Sequence, residues 1–362
     1  MLRWVLMITL ATAVPAPVLA ITAAPLVIAH RGASGERPEH TLAAYALAIE
    51  QGADFIEPDL VMTKDGILVA RHENEISGTT DVASRPAFAA RRTTKTIDGQ
   101  AVSGWFTEDF TLAELKTLRA RERLPAMRKG NTAYDGQFEV PTFAEVVELA
   151  KEKRVGIYPE IKHGQYFASI NLCLEAPLLA ALKTAGWTAK EHPVFIQSFE
   201  VANLERLRKK TKLRLVQLMA ASGGPADRPG TTYEAMATPA GLKAIARYAD
   251  GIGVEKAMVV PRDANGASTR PTTLIADAHR AGLKIHAWTF RAENAFLPTE
   301  LRRGSNAATH GDLATELQTF YVLGVDGVFS DHPRIAVTSR RRSSPSQAVR
   351  PSSMSPPTRR FP

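Results

Sequence analysis

Cysteine is nearly absent: Cys173 stands alone among 362 residues. That excludes a disulfide framework and leaves a cysteine nucleophile little ground, and a chain exported without disulfides has to rest on a large core. A Gly-rich dinucleotide turn is missing too. The first apolar run is followed by "HRGASGERP", residues 30 to 38, with two glycines at the wrong spacing and a proline where a helix would open. Net charge is scarce once the ends are set aside. From residue 335 onward the chain holds six arginines and no acid, and Arg3 adds one more, so a formal +8 falls to +1 for residues 21 to 334. A body so nearly neutral argues against a nucleic-acid binder, although the tail alone can still touch acidic surfaces.

What is present is globular: 44% apolar and 23% charged residues, enough for a sizeable core. The opening "MLRWVLMITLATAVPAPVLA" has one basic residue, an apolar run broken by Pro15 and Pro17, and small residues at its end. It reads as a secretory signal peptide over residues 1–20, cut after Ala20, because the run is short for a bilayer span. The competing reading is an uncleaved membrane anchor. No cysteine follows the cut, which argues against a lipoprotein anchor. A periplasmic or secreted protein with no stable membrane span after cleavage is expected. Residues 339–362, rich in Ser, Pro and Arg without apolar periodicity, are expected to form a disordered tail.

Between these ends, eight short apolar runs alternate with helical patterns. They lie at 25–30, 54–60, 155–161, 194–199, 213–218, 250–254, 283–288 and 326–331. Stretches such as Leu42, Tyr45, Ala46 and Ile49, or Phe143, Val146, Val147 and Ala150, have helical spacing, and Gly52, Gly186 and Gly282 close helices. Eight strand–helix alternations favour a TIM-like (β/α)8 barrel over an open α/β sheet. One domain over 21–338 is expected, with an insertion at about 74–140 after the second strand and a smaller mouth loop at 219–239.

In a barrel, chemistry collects where strands end. Run one ends in His30-Arg31, run two carries Glu57 and Asp59, and the extended "ILVARH" ends in His72. Run three carries Glu160 and Lys162, run four ends in Gln197-Ser198, run seven in His286 and Trp288, and run eight in Asp331. Residues two apart on a strand face the same way. Glu57, Asp59 and Glu160 would therefore converge, and buried unpaired charges cost roughly several kcal/mol unless a cation sits among them. All-oxygen ligands favour calcium or magnesium over zinc. The bland alternative is a set of surface acids paired with nearby Lys and Arg. Two imidazoles flanking a metal-bound phosphate suit in-line displacement, one taking a proton and the other giving one, while Arg31 and Lys162 supply positive charge for phosphate oxygens. His163, His192, His279 and His310 sit in loops or on helices and read as ordinary. These residue types indicate phosphodiester chemistry and leave the substrate open.

The motifs "AHRGASGERPEHTLAAY", "GADFIEPDLVMTKDGILVARHE", "YPEIK", "IQSF", "HAWTF" and "GVDGVFSDHP" resemble, in order and spacing, the glycerophosphodiester phosphodiesterase family, in particular its exported bacterial branch. The resemblance covers nearly all of residues 26 to 335. It implies a metal-dependent barrel hydrolase that splits small-molecule glycerophosphodiesters, such as glycerophosphocholine, into glycerol 3-phosphate and an alcohol. It further implies His30 and His72 as the acid/base pair, Glu57, Asp59 and Glu160 as ligands of one divalent cation (calcium before magnesium), and Arg31 and Lys162 on the phosphate. Trp288 is implied as an apolar wall for the glycerol carbons, and Glu39 as support for the first-strand loop or the metal shell. Two departures stand out. His40 occupies a position where Asn is commoner, and "ISGTT" at 76–80 lacks the Asp and Arg of the usual Leu-Asp-Arg-Thr-Thr, which bears on leaving-group preference. Two other readings stay open: a related barrel phosphodiesterase acting on intact phospholipids, for which "SGWFTEDFTLAEL" offers apolar residues although it looks amphipathic and helix-like, which points to core packing, and a non-enzymatic binding protein on the same barrel. Oligomeric state stays open as well.

Overall fold

The computed structural model describes residues 24–343. The expected signal peptide, and the expected tail beyond 343, lie outside the described residues. In chain order the strands are β1 (Leu26–His30), β2 (Phe55–Glu57), β3 (Asp59–Met62), β4 (Leu68–Ala70), β5 (Thr93–Ile97), β6 (Gln100–Gly104) and β7 (Gly156–Ile157). They continue as β8 (Glu160–Ile161), β9 (Phe195–Ser198), β10 (Arg214–Met219), β11 (Gly251–Glu255), β12 (Lys284–Phe290) and β13 (Gly327–Ser330).

The second and third expected strands are each split at a proline. Pro58 separates β2 from β3 and Pro159 separates β7 from β8, since proline has no N–H to give to a ladder. Pairing resumes beyond each break: Tyr158 N–H donates to Ile56 O, Glu160 N–H to Pro58 O and Gln197 N–H to Pro159 O, all at 2.9 Å. Counting each split pair as one stave, eight parallel staves follow one another, and the last, β13, pairs back onto β1 with Ala29 opposite Ser330. This closed ring is the (β/α)8 barrel that the alternation predicts. β4 adds an antiparallel strand outside the ring, against β3.

Val, Ile and Leu dominate the staves because both faces are covered. Inside the ring, Ile28, Phe55, Tyr158, Phe195, Val216 and Phe329 form an apolar plug drawn from six staves. Burying each such side chain stabilises the fold by about 1.5–3 kcal/mol. Gly156 makes room for this plug, since a Cβ there would fall 2.3 Å from the Phe55 ring. The helices pack outside on a second, larger apolar core. Their ends follow the chemistry of the chain: Thr41 accepts from Ala44 N–H at 3.1 Å at the start of Leu42–Glu50, and Thr142 with Glu145 forms a capping box before Phe143–Lys153. Gly52, Gly186 and Gly282 take positive φ where helices end, as expected.

Three expectations need correction. The tail was expected to be disordered from residue 339, but Pro333–Ser343 is one helix, with Ser339 buried and Arg340 donating to Pro25 O at 2.9 Å while pairing with Asp54. The helix-like reading of "SGWFTEDFTLAEL" holds only for Leu112–Leu115. The stretch otherwise finishes the β5–β6 hairpin and turns, while its Trp105, Phe106 and Phe110 are buried, in line with the core packing its pattern suggests. His286 lies in the middle of β12, which runs on to Phe290. It is buried against the plug, 2.8 Å from Tyr158 Oη, not at a strand end.

Candidate active site

Register alone assembles the acids. His30 lies opposite Glu57 across β1 and β2, Asp59 opposite Glu160 across β3 and β8, and Glu160 opposite Gln197 across β8 and β9. One oxygen each from Glu57, Asp59 and Glu160 lies within 4.8 Å of the other two, and all three residues are buried. Burial, with Asp59 and Glu160 alongside, pushes Glu57 well above the usual carboxylate range. Burial likewise pushes Glu160 up to about 8, against the pull of Lys162. Burial also acts on Asp59, but His72, His40, Lys162 and Arg31 outweigh it and hold that carboxyl well below its ordinary value. Three buried carboxylates within reach of one another form a hard oxygen donor set of the kind that takes a divalent cation.

Each acid is also tied down from behind. Arg31 N–H donates to Glu57 Oε2 at 2.8 Å, and Gln197 Nε2 to Glu57 Oε1 at 3.2 Å. Asp59 Oδ2 meets His40 Nε2 at 2.8 Å and Arg31 Nε at 3.2 Å. Lys162 Nζ stands 2.9 Å from Glu160 Oε1, placing one positive charge among the three acids. Glu39 belongs to a different set, bonded to Arg31 Nη1 at 2.9 Å and to Arg123 at 2.7 and 2.8 Å.

The two histidines flank this cluster, each backed by a carboxylate. His30 Nδ1 lies 2.7 Å from Asp331 Oδ1, and His72 Nδ1 bonds Glu73 Oε1. Nε2 is the remaining ring nitrogen on both. In His72 it lies 3.3 Å from Lys162 Nζ. Burial, then Arg31, lowers His30 to about 4; burial, then Arg31 and Lys162, lowers His72 to about 3. Both rings are therefore neutral near pH 7, able to accept a proton. His72 reaches the mouth because the tight β3–β4 hairpin turns the chain back, with Arg71 N–H donating to Asp59 O at 3.0 Å.

His30, Arg31, Glu57, His72, Glu160 and Trp288 line one cavity of about 510 Å³. Asp59 and Lys162 sit just behind that lining. Phe199 meets Trp288 edge-on at 5.7 Å, so one wall is aromatic. Charged groups at one mouth, an aromatic wall and a buried acidic floor accommodate a small molecule carrying a phosphate and a short carbon chain.

The comparisons with known proteins bear directly on this cavity. The model of the glycerophosphoryl diester phosphodiesterase family matches residues 30–335. The chain belongs to that family. A glycerophosphodiester phosphodiesterase of Arabidopsis thaliana is 36% identical over 325 residues, covering 86% of this chain and 84% of its own. A glycerophosphodiester phosphodiesterase of Haemophilus influenzae is 30% identical over 349 residues, covering 86% and 88%. Among solved structures, a phosphodiesterase of Oleispira antarctica in complex with the product sn-glycerol-3-phosphate shares the fold at a TM-score of 0.58, with 23% identity over 87% of this chain and 96% of that one. The chain is accordingly an enzyme that hydrolyses glycerophosphodiesters to glycerol 3-phosphate and an alcohol. The reading as a pure binding protein falls away.

All eight residues singled out in the sequence come together at one end of the phosphodiesterase barrel. The sequence reading missed the insertion's contribution. Arg123 donates to Glu73 at 2.6 and 3.0 Å as well as to Glu39, and Arg128 donates to Asp331 Oδ2 at 2.6 Å and Glu293 Oε1 at 2.6 Å. Arg291 adds a bond to Asp331 at 2.9 Å. Asp331 was visible as the end of a strand. The arginines gave no signal, because a lone Arg in a loop has neither spacing nor periodicity to distinguish it.

Proposed function

We propose that Glu57, Asp59 and Glu160 hold one divalent cation and that His30 and His72 exchange protons with a glycerophosphodiester beside it. The carrying observation is the buried acid cluster between two carboxylate-backed imidazoles that line the same cavity. Three carboxylates from the protein suit calcium better than magnesium, which keeps several waters and takes one or two carboxylates. When bound, the cation offsets the mutual repulsion of the acids and withdraws charge from phosphate oxygens.

Asp331 and Glu73 hold the Nδ1–H of His30 and His72, which leaves the lone pair on each Nε2, with that of His72 accepting from Lys162 Nζ at 3.3 Å before substrate enters. One ring takes the proton of the attacking hydroxyl. An arriving phosphate anion favours the protonated form of the other, which gives its proton to the leaving alkoxide. Arg31 lines the cavity and Lys162 stands behind it, adding positive charge near the phosphate. Trp288 and Phe199 cover the carbon chain. We also place the enzyme in the exported branch of the family, in the periplasm or outside the cell, on the strength of its first twenty residues.

The test is release of glycerol 3-phosphate from glycerophosphocholine. A chelator should abolish it, calcium should restore it better than magnesium, and His30→Ala or His72→Ala should each lower kcat by about 10²–10⁴-fold. Unchanged turnover in either variant, or in chelator, would sink the assignment.

A further inference from the structure

We propose that Glu293, His310 and His332 form a second metal site, separate from the acid cluster and suited to zinc or a similar borderline divalent ion. Glu293 follows β12 and bridges backbone to backbone with His310, while His332 lies two residues past the end of β13. A ligand atom from each residue lies within 4.8 Å of the other two. The His310 and His332 rings stand 5.1 Å apart and nearly perpendicular.

A second, independent observation points to a ligand. Glu293 is wholly buried and His332 is 3% exposed, yet Glu293 Oε2 and His332 Nε2 have no hydrogen-bond partner. Two buried orphan atoms at one spot call for a species that bridges them. Arg128 occupies only Glu293 Oε1, leaving Oε2 available. The ring of His332 is placed deliberately close to the chain: a Cβ on Gly35 would fall 2.3 Å from Nε2, so that residue has to be glycine. A cavity of about 530 Å³, lined by Gly35, Arg128, Asn131 and His310, opens beside the cluster and gives an ion a way in.

Two imidazoles and one carboxylate, with a position left for water, are a zinc-type donor set, whereas the acid cluster is all oxygen. Ligation through Nε2 of His332 puts the proton on Nδ1 and gives up the contact from Ala292 N–H, which at 3.3 Å is long and weak. The ion would tie together the loops after β12 and β13. Glu293 would stay held against Arg128, whose other nitrogen backs Asp331 behind His30.

The experiment titrates the full chain, stripped of metal, with Co²⁺ and follows the visible spectrum. Mixed nitrogen and oxygen ligation of low coordination gives intense bands, and octahedral oxygen ligation gives weak ones. We expect one equivalent to give intense bands that Zn²⁺ abolishes. His310 is exposed, so His310→Ala keeps the fold; it and Glu293→Gln should each lose those bands and weaken Zn²⁺ binding roughly 100-fold or more. Weak bands only in the parent chain, or intense bands unchanged in His310→Ala, would overturn the site and leave an ordered water between Glu293 and His332.

Discussion

His40 shows how much a single residue settles. It is fully buried at φ +54°, a left-handed backbone conformation that Asn and His enter more readily than most side chains. Its ring spans from Tyr45 Oη at 2.7 Å to Asp59 Oδ2 at 2.8 Å, and burial keeps it neutral by lowering its proton affinity. His at this position thus has a backbone reason, tolerance of that φ, and a side-chain reason, a donor aimed at Asp59. Outer partners of metal ligands typically govern affinity by about 10–100-fold. His40→Ala should therefore weaken calcium binding by that factor, read from calcium titration of activity, and His40→Asn should recover much of it. Equal calcium affinity in His40→Ala would mean that Arg31 alone orients Asp59.

At the scale of elements, the barrel was legible because buried strands and amphipathic helices have periods that a sequence displays, and because Glu57, Asp59 and Glu160 sit on those strands. The breaks at Pro58 and Pro159 were written in the chain, but their effect was not, since pairing resumes after each. The insertion was legible only as a length. Its 3-10 turns, β5–β6 hairpin and short helix have no long period, and its contacts join residues far apart in sequence, Arg123 to Glu39 and Arg128 to Asp331. These two arginines tie the insertion to the cavity, each gripping the carboxylate behind one histidine, Arg123 on Glu73 and Arg128 on Asp331. Breaking a buried ion pair from one side costs about 3–5 kcal/mol. Arg128→Ala should lose about that much in urea unfolding and should lower kcat with little change in KM, because Arg128 does not line the cavity that His30 and His72 share. Arg128→Lys, with charge but no fork to bridge Glu293 and Asp331, should fall between. A kcat for Arg128→Ala equal to the parent's would show that Asp331 holds His30 without this help.

For the molecule as a whole, the same burial that builds the barrel decides how it meets acid. Five buried or part-buried histidines have proton affinities pulled down: His30, His72, His286 and His332 to about 4, 3, 4 and 4, and His40 in the same direction. His286 is the cleanest case: it lies in the barrel interior against Tyr158 and Phe195, and its lowering from 6.5 to about 4 comes first from burial. Below pH 6.5 the unfolded chain takes up the proton while the folded chain does not, so the stability present above that pH drains away as pH falls toward 4. The shift corresponds to about 3 kcal/mol for this one residue. Glu160 works in the opposite sense, because its raised value of about 8 makes the folded form the better proton binder between 4.5 and 8. Saturating calcium should remove that opposing contribution by keeping the acid cluster ionised. In calcium, urea midpoints should therefore fall steeply from pH 6.5 to 4, and His286→Gln should flatten the fall after its own loss of packing is measured at pH 7. An equally steep fall in His286→Gln would place the acid sensitivity in the other four histidines, His30, His40, His72 and His332.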